Sequence, residues 1–439
     1  MSSPKKKSSV RHTRAIHHHR RKQPSVEAPP EQIEALMEEI VHPATLSQVA
    51  EYQRRGLRER TLTLPIMVAF LLSLLWRQLG SVEEAVRVLN QEGMFWTAPL
   101  KVSSQAAVNR LRNLPADLFK GVLDDVLPRL HSRWQERERP LPAAVAWAKE
   151  RYAYVWALDG STLDALQRAV NLLPEQKGLA GRMAALVDVA SGLPRQVWYE
   201  EDSQAHDQAF WERAVELLSA EGLILFDLGF VNYAFFDRLT RQGVTFLTRL
   251  KTNASFRIVR TLRDGPNVQD RLIRLGSGAT RCEETLRMVA VQYQGKWYRY
   301  LTNELDPQRL PTECVAALYW QRWRIEDAFN VVKRLLGLSY FAVGSINGVQ
   351  LQLWATWLLY GVLVDLTDSV AERLHQPFQM ISMEMVYRGL YHFIQAKKRK
   401  EATHLVAFFA QEAKLLGIVK QKRPKSLDAL YLLTTQLKA

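Results

Sequence analysis

Three carboxylates and a spaced set of cations are the residues of this chain best suited to do chemistry. Asp159 stands in Leu158-Asp159-Gly160-Ser161-Thr162, and Asp227 in Phe226-Asp227-Leu228-Gly229-Phe230. Each follows directly on an apolar run of strand character, residues 152–158 and 223–226. In an open α/β sheet the carboxyl ends of the strands face the functional crevice. If the two strands are parallel neighbours, the carboxylates lie about 5 Å apart, one strand spacing. At that distance they can share a hard, oxygen-seeking cation such as Mg²⁺. Taken singly, an aspartate after a strand is as well explained by the capping of a turn.

The third carboxylate lies in a segment of helical pattern. Tyr319, Arg322, Glu326 and Lys333 occur in Tyr-Trp-Gln-Arg-Trp-Arg-Ile-Glu-Asp-Ala-Phe-Asn-Val-Val-Lys. At about 100° per residue all four project within about 60° of one another. Trp320, Ile325, Ala328, Val331, Val332 and Leu335 spread over the opposite side. One face can therefore pack while a polar stripe faces outward. A carboxylate flanked by cations suits a phosphodiester, with Glu326 completing a metal site and Arg322 and Lys333 holding phosphate oxygens. A solvated face with an Arg322–Glu326 pair one turn apart is the plainer alternative.

These residues closely resemble the DDE transposases of bacterial insertion sequences, in the group marked by Tyr-x2-Arg-x3-Glu-x6-Lys. Tyr319, Arg322, Glu326 and Lys333 match that signature at every position, and both aspartate contexts are similar to those of the group. The likeness covers residues 150 to 375 well and the N-terminal region more loosely. It implies that Asp159, Asp227 and Glu326 hold two Mg²⁺ or Mn²⁺ ions, and that Tyr319, Arg322 and Lys333 contact phosphates near the cleaved end. It implies double-stranded DNA as partner, both the element's terminal inverted repeats and the target, and a homodimer when two ends are held together. Trp297 lies shortly before the motif. In hairpin-forming relatives a tryptophan there stacks a flipped base, while strand packing is its plainer role. A metal nuclease without strand transfer and a domesticated DNA-binding protein are the alternative functions.

The rest of the chain bears on what positions these residues. It has 439 residues with 59 Lys and Arg against 45 Asp and Glu, a formal net charge of +14. Such an excess favours a polyanion, because each neutralised phosphate releases counterions. Two cysteines, Cys282 and Cys314, make neither a cysteine-rich zinc site nor a disulfide framework. The apolar stretches 64–76 and 351–364 fall short of the ~20 residues a bilayer needs and read as buried helices. With no secretory signal apparent, a cytoplasmic, nucleoid-associated protein with no membrane contact is expected.

Residues 1–30 read as a disordered basic arm, in which His17, His18 and His19 are an adventitious metal site at most. Residues 31–145 read as a helical DNA-binding region. Within it, residues 103–112 form a short polar-capped helix suited to recognition, with Arg110 and Arg112 reaching DNA; an ordinary surface helix fits equally. A charged, Pro-bounded linker follows at 133–141. Strand character begins at residue 152. Three strands, a helix (204–220), a strand, a helix and a strand give the order of a ribonuclease-H-like core, a mixed five-stranded sheet with flanking helices. Residues 146–250 and 303–375 form its two parts. A β-rich insertion, 251–302, interrupts them, and a continuous helix over 312–336 carries the motif. Residues 376–439 read as a basic helical C-terminal region. Asp164, Asp188, Glu200, Glu201 and Asp202 are weaker carboxylate candidates.

Overall fold

The computed structural model of the chain describes residues 30–58, 60–163, 181–202, 205–278, 280–338, 341–342 and 344–420. The basic arm, His17 to His19, Asp164 and the last basic stretch beyond Lys420 lie outside them.

Six helices come first: α1 (Pro30–Arg54), α2 (Leu64–Trp76), α3 (Val82–Gln91), α4 (Ser104–Asn113), α5 (Ala116–Glu136) and α6 (Ala143–Lys149). Their starts follow local chemistry. Ser81 accepts a hydrogen bond from the Glu84 N–H at 3.1 Å, and Glu84 reaches back to the Gly80 N–H at 2.9 Å, so two donors at the start of α3 are satisfied. Ser103 caps α4 through the Ala106 N–H. The segment read as a linker is docked instead. Arg137 and Arg139 pair with Asp365 and Asp368 of a later helix at 2.6–3.1 Å, with both aspartates buried. Buried carboxylates need that neutralisation, which a sequence window around the arginines does not display.

The strands are β1 (Val155–Thr162), β2 (Arg182–Asp188), β3 (Pro194–Glu200), β4 (Leu223–Phe226), β5 (Thr245–Arg249), β6 (Phe256–Asp264), β7 (Val268–Ser277), β8 (Thr280–Arg281), β9 (Leu286–Tyr293) and β10 (Lys296–Thr302). They form one ten-stranded sheet in the order β3-β2-β1-β4-β5-β10-β9-β7-β6, with β8 paired to β7. The β1–β4 and β4–β5 pairs are parallel, the others antiparallel. The expected five-stranded sheet is thus one half of a larger one. The insertion continues it, because β10 lies against β5 with Tyr300 opposite Arg249. An uncovered β5 would present a row of unpaired backbone groups, and β10 pairs them. Strand β7 was not legible, its apolar residues being interleaved with Arg271 and Arg274.

Between β3 and β4 the expected 204–220 helix shrinks to a 3-10 turn, Asp207–Phe210, and α7 (Trp211–Val215). Helix α8 (Tyr233–Arg241) supplies the expected helix between β4 and β5. After β10 come α9 (Thr312–Trp320), α10 (Trp323–Asn330), α11 (Ile346–Arg373), α12 (Met383–Lys398) and α13 (Leu405–Gln411). Helix α11 is long and apolar enough to cross a membrane, yet 94% of its apolar window is buried inside the protein, where it packs along α5.

Side chains alternate across the sheet. Ala157 and Leu225 join the large core beneath α9, α10 and α11, together with Ile325, Ala328 and Val332. Leu158 and Phe226 face the opposite core with Phe210, Trp211, Phe230 and Phe236. Asp159 is one residue beyond Leu158, so the alternation turns it toward the α9–α10 side.

Candidate active site

Leu158 and Phe226 are partners in the parallel β1–β4 register, so Asp159 and Asp227 come level on adjacent chains. Asp159 lies inside β1 rather than after it. The strand runs on to Thr162 because β2 continues to pair with it, Asp159 facing Ala185 and Thr162 facing Arg182. Asp227 does end its strand, at the head of a 3-10 turn, Leu228–Phe230.

The motif helix is not continuous. Helix α9 stops at Trp320, and Gln321 and Arg322 bond back three residues, to Leu318 and Tyr319. Helix α10 then ends in a π-helical turn, Val331–Leu335, which carries Lys333. A tightened turn and a widened one redirect side chains that an ideal helix would hold in one arc. Tyr319, Arg322 and Lys333 still reach the ends of β1 and β4, and Glu326 is bonded by Arg322.

The Arg322 guanidinium, 5% exposed, donates to Asp159 Oδ2 at 2.9 Å and to Glu326 Oε1 at 2.6 Å. It thus bridges the strand carboxylate to the helix carboxylate. The Tyr319 hydroxyl donates to Asp227 Oδ1 at 3.2 Å. Lys333 Nζ donates to the Ser161 hydroxyl at 2.5 Å and to the Thr162 carbonyl at 2.8 Å, holding the end of β1. Burial pushes the Asp159 carboxyl up to about 7, against Arg322 and the Gly160 N–H, with Asp227 and Glu326 adding to the rise. Burial likewise raises the Tyr319 hydroxyl well above its usual range, so it stays protonated and donates. Two carboxylates therefore share one buried guanidinium, whose Nε has no hydrogen-bond partner among the described residues, while Asp227 is held by Tyr319.

The oxygen-only donor set suits a hard divalent cation, and a desolvated carboxylate that resists ionisation is one that gains from added positive charge. Among the described residues, however, no three His, Cys, Asp or Glu side chains converge closely enough to hold a metal ion. Arg322 lies between Asp159 and Glu326 and bonds both.

Trp297, 38% exposed, lies near the start of β10. The antiparallel register carries it beyond the Tyr300–Arg249 level, to the end of the sheet that bears Asp227. It has no contact with the motif residues among those described above. Arg110 is a correction. It is 8% exposed, and its guanidinium is committed to the Leu62 carbonyl and the Tyr52 hydroxyl, both at 2.9 Å. It packs the N-terminal helices and is not free to reach a phosphate. Arg112, on the same helix, is exposed. Among the weaker carboxylates, Asp188 accepts from Ser191 in the β2–β3 turn, and Glu200 pairs with Arg213. A fourth acid near the crevice was missed: Asp207, ion-paired with Arg182. Its only sequence signal is a glycine one residue after Asp159 and another two after Asp227.

A family described as the transposase DDE domain matches residues 157–361, a span that includes all three carboxylates and the whole Tyr-Arg-Glu-Lys motif. The putative transposase y4zB of Sinorhizobium fredii is 32% identical over 148 residues, covering 32% of this chain and 41% of that protein. The probable transposase for insertion sequence element IS5377 of Geobacillus stearothermophilus is 23% identical over 79% of this chain and 88% of its own length. Among solved structures, a piggyBac transposase synaptic complex with hairpin DNA aligns at a TM-score of 0.40 and 12% identity, covering 90% of this chain and 84% of that one.

Proposed function

The chain belongs to the DDE transposases of bacterial insertion sequences, and from that premise we propose that it binds the ends of its element, cleaves them hydrolytically and joins the 3′ ends to target DNA. The observation that carries the reading is the level pairing of Asp159 and Asp227 on adjacent parallel strands, with Glu326 tied to Asp159 through Arg322. The strand order β3-β2-β1-β4-β5 supports a ribonuclease-H-like core, extended by the insertion. The helical region ahead of it, residues 31–145, is the proposed DNA-end-binding part, with Arg112 on its exposed face. A homodimer holding two ends on DNA, acting in the cytoplasm, completes the proposal.

Asp159 and Asp227 are the proposed metal-holding pair, joined by Glu326 once Arg322 releases it. When bound, two Mg²⁺ or Mn²⁺ ions supply activation of the attacking oxygen and stabilisation of the leaving one. The protein's own groups do the rest. Tyr319 orients Asp227 by donating to one of its oxygens, leaving the other open. Lys333 holds the end of β1, which fixes the direction of Asp159. Arg322, once displaced from Glu326, keeps a planar pair of donors suited to a non-bridging phosphate oxygen. Burial excludes water and so strengthens each of these interactions.

The test is cleavage of DNA carrying the element ends. Asp159→Ala, Asp227→Ala and Glu326→Ala are each expected to lower Mg²⁺-dependent cleavage ~10²–10³-fold or more, the lower range being what loss of one preorganised electrostatic group produces, while end binding persists. Full cleavage by any of them would falsify the site assignment. Cleavage by the wild type with no joined product under any condition would reduce the activity to that of a nuclease.

A further inference from the structure

Asp207 is on the far side of the sheet from Glu326. It opens the 3-10 turn that leads into α7, and the residues after it, Phe210 and Trp211, are fully buried in the opposite core. From there its carboxylate reaches the crevice end of the sheet. Its partner is Arg182 at the start of β2, the residue opposite Thr162 of β1.

Two glycines make room for it. A Cβ on Gly160 would overlap Asp207 Oδ1, and a Cβ on Gly229 would overlap Asp207 Oδ2. Gly160 is the residue after Asp159, and Gly229 is two after Asp227. Neither has the positive φ that would demand glycine for backbone reasons. Gly160 sits in regular β pairing with Ala184, where alanine is sterically ordinary. What both positions require is the absence of a side chain in front of one carboxylate.

The Asp207 segment is also held against the turn that follows Asp227. Trp211 Nε1 donates to the Phe230 carbonyl at 2.7 Å, and Gln208 Nε2 donates to the Val231 carbonyl at 3.1 Å. Gln208 in turn accepts from Asn232 at 3.3 Å. The carboxylate is therefore fixed by its own neighbours and is not a mobile surface acid; its side chain is 21% exposed. Its carboxyl is raised by burial, against Arg182, and the Asp227 charge adds to the rise, which reflects how near the two acids lie.

We propose that Asp207 is a positioning residue, a strut between Gly160 and Gly229 that fixes the separation of the two chain segments carrying Asp159 and Asp227, and with it their affinity for a divalent cation. The proposal rests on the reading of Asp159 and Asp227 as the metal-holding pair. Its physical basis is that hard cations held by few protein ligands are sensitive to ligand spacing, and that constellations of this kind tolerate displacements of only about 0.5 Å. The strut acts from behind the sheet. Arg322 and Tyr319 act on the same two aspartates from the α9–α10 side.

The experiment is a Mn²⁺ titration of the full chain, following free Mn²⁺ by electron paramagnetic resonance, with near-ultraviolet circular dichroism as the check on folding. Asp207→Ala removes the strut and is expected to weaken Mn²⁺ binding tenfold or more. Asp207→Asn keeps its volume and an oxygen for Arg182, and is expected to stay within threefold of wild type. Gly160→Ala, which displaces the carboxylate without removing it, is expected to weaken binding about as much as Asp207→Ala, and the double variant no further. Wild-type Mn²⁺ affinity in folded Asp207→Ala and Gly160→Ala overturns the proposal, because a merely structural acid would alter stability alone. Asp207→Asn as impaired as Asp207→Ala also overturns it, since charge and not shape would then be at work. Asp159→Ala is the control for the premise: Mn²⁺ binding that survives it refutes the metal-pair reading, whatever Asp207 does.

Discussion

Two arginine–carboxylate clusters lie at the two ends of the segment that leads into the motif, and they are built differently. Arg287 of β9 is fully buried and bidentate to Asp270 of β7, at 2.8 and 2.5 Å. Its remaining donors go to the Leu310 carbonyl and the Thr312 hydroxyl, and Thr312 also donates to Asp270. One cation meets one anion there, and every polar group has its partner. Arg322 divides itself between Asp159 and Glu326, leaves its Nε unpartnered, and stands among three acids. The first cluster is a closed joint that fastens the insertion to the start of α9. The second carries more negative charge than its one guanidinium can neutralise, which is how a site for a further cation is built. Burial of an arginine thus does not tell the two apart, whereas completeness of pairing does.

The sharpest way to break this contrast is to remove each arginine. Arg287→Ala leaves Asp270 buried and unpaired, and should cost about 3–5 kcal/mol in chemical denaturation, with no recovery on adding Mn²⁺. Arg322→Ala should cost about 1–3 kcal/mol in metal-free buffer, and Mn²⁺ should restore most of it. Equal losses, with equal indifference to metal, would make both clusters structural.

A smaller effect concerns pH. The Asp159 carboxyl holds its proton more tightly folded than unfolded, so its contribution to stability is fully present below the unfolded value of about 4 and is lost as pH rises through about 7. In metal-free buffer Asp159→Asn should therefore stabilise the protein at pH 8 by about 1–2 kcal/mol. The gain should shrink as pH falls below about 7 and vanish only below about 4, the unfolded value. A pH-independent difference in thermal unfolding contradicts the desolvated-acid account.

The smallest effect separates two arginines of one helix. Arg110→Ala removes a buried guanidinium from two acceptors and should lower stability by about 1–2 kcal/mol. Arg112→Ala should leave stability within about 0.5 kcal/mol. If Arg112 meets a phosphate, its loss should also reduce the salt dependence of DNA-end binding by about one counterion. Reversal of the two patterns would put Arg110, not Arg112, on the DNA.

The element order from β1 to β5 was legible because apolar runs, glycine turns and helical periodicity are local properties of the chain. The same reasoning found β9 and β10 but passed over β7, whose polar residues repeat without a clean apolar face. It also made one helix of 312–336, since nothing local announces the tight turn at Gln321 or the π-helical turn at Val331. Those two irregularities arise where the helix packs over β1 and β5 while its side chains reach Asp227, Asp159 and Ser161.

By itself the sequence determined that an aspartate follows directly on each of two apolar strand runs, and that a glutamate with two cations and a tyrosine recurs at helical spacing. Only the tertiary structure decided what each of them touches. It set Arg322 between two carboxylates, sent Arg110 inward, joined the insertion to the edge of β5, and brought Asp207 from behind the sheet to the glycines beside both aspartates. The reason is physical. Strand and helix tendencies are fixed by neighbours a few residues apart, whereas burial, charge pairing and steric room are set by groups far apart in the chain, such as Gly160 and Asp207 or Asp159 and Arg322.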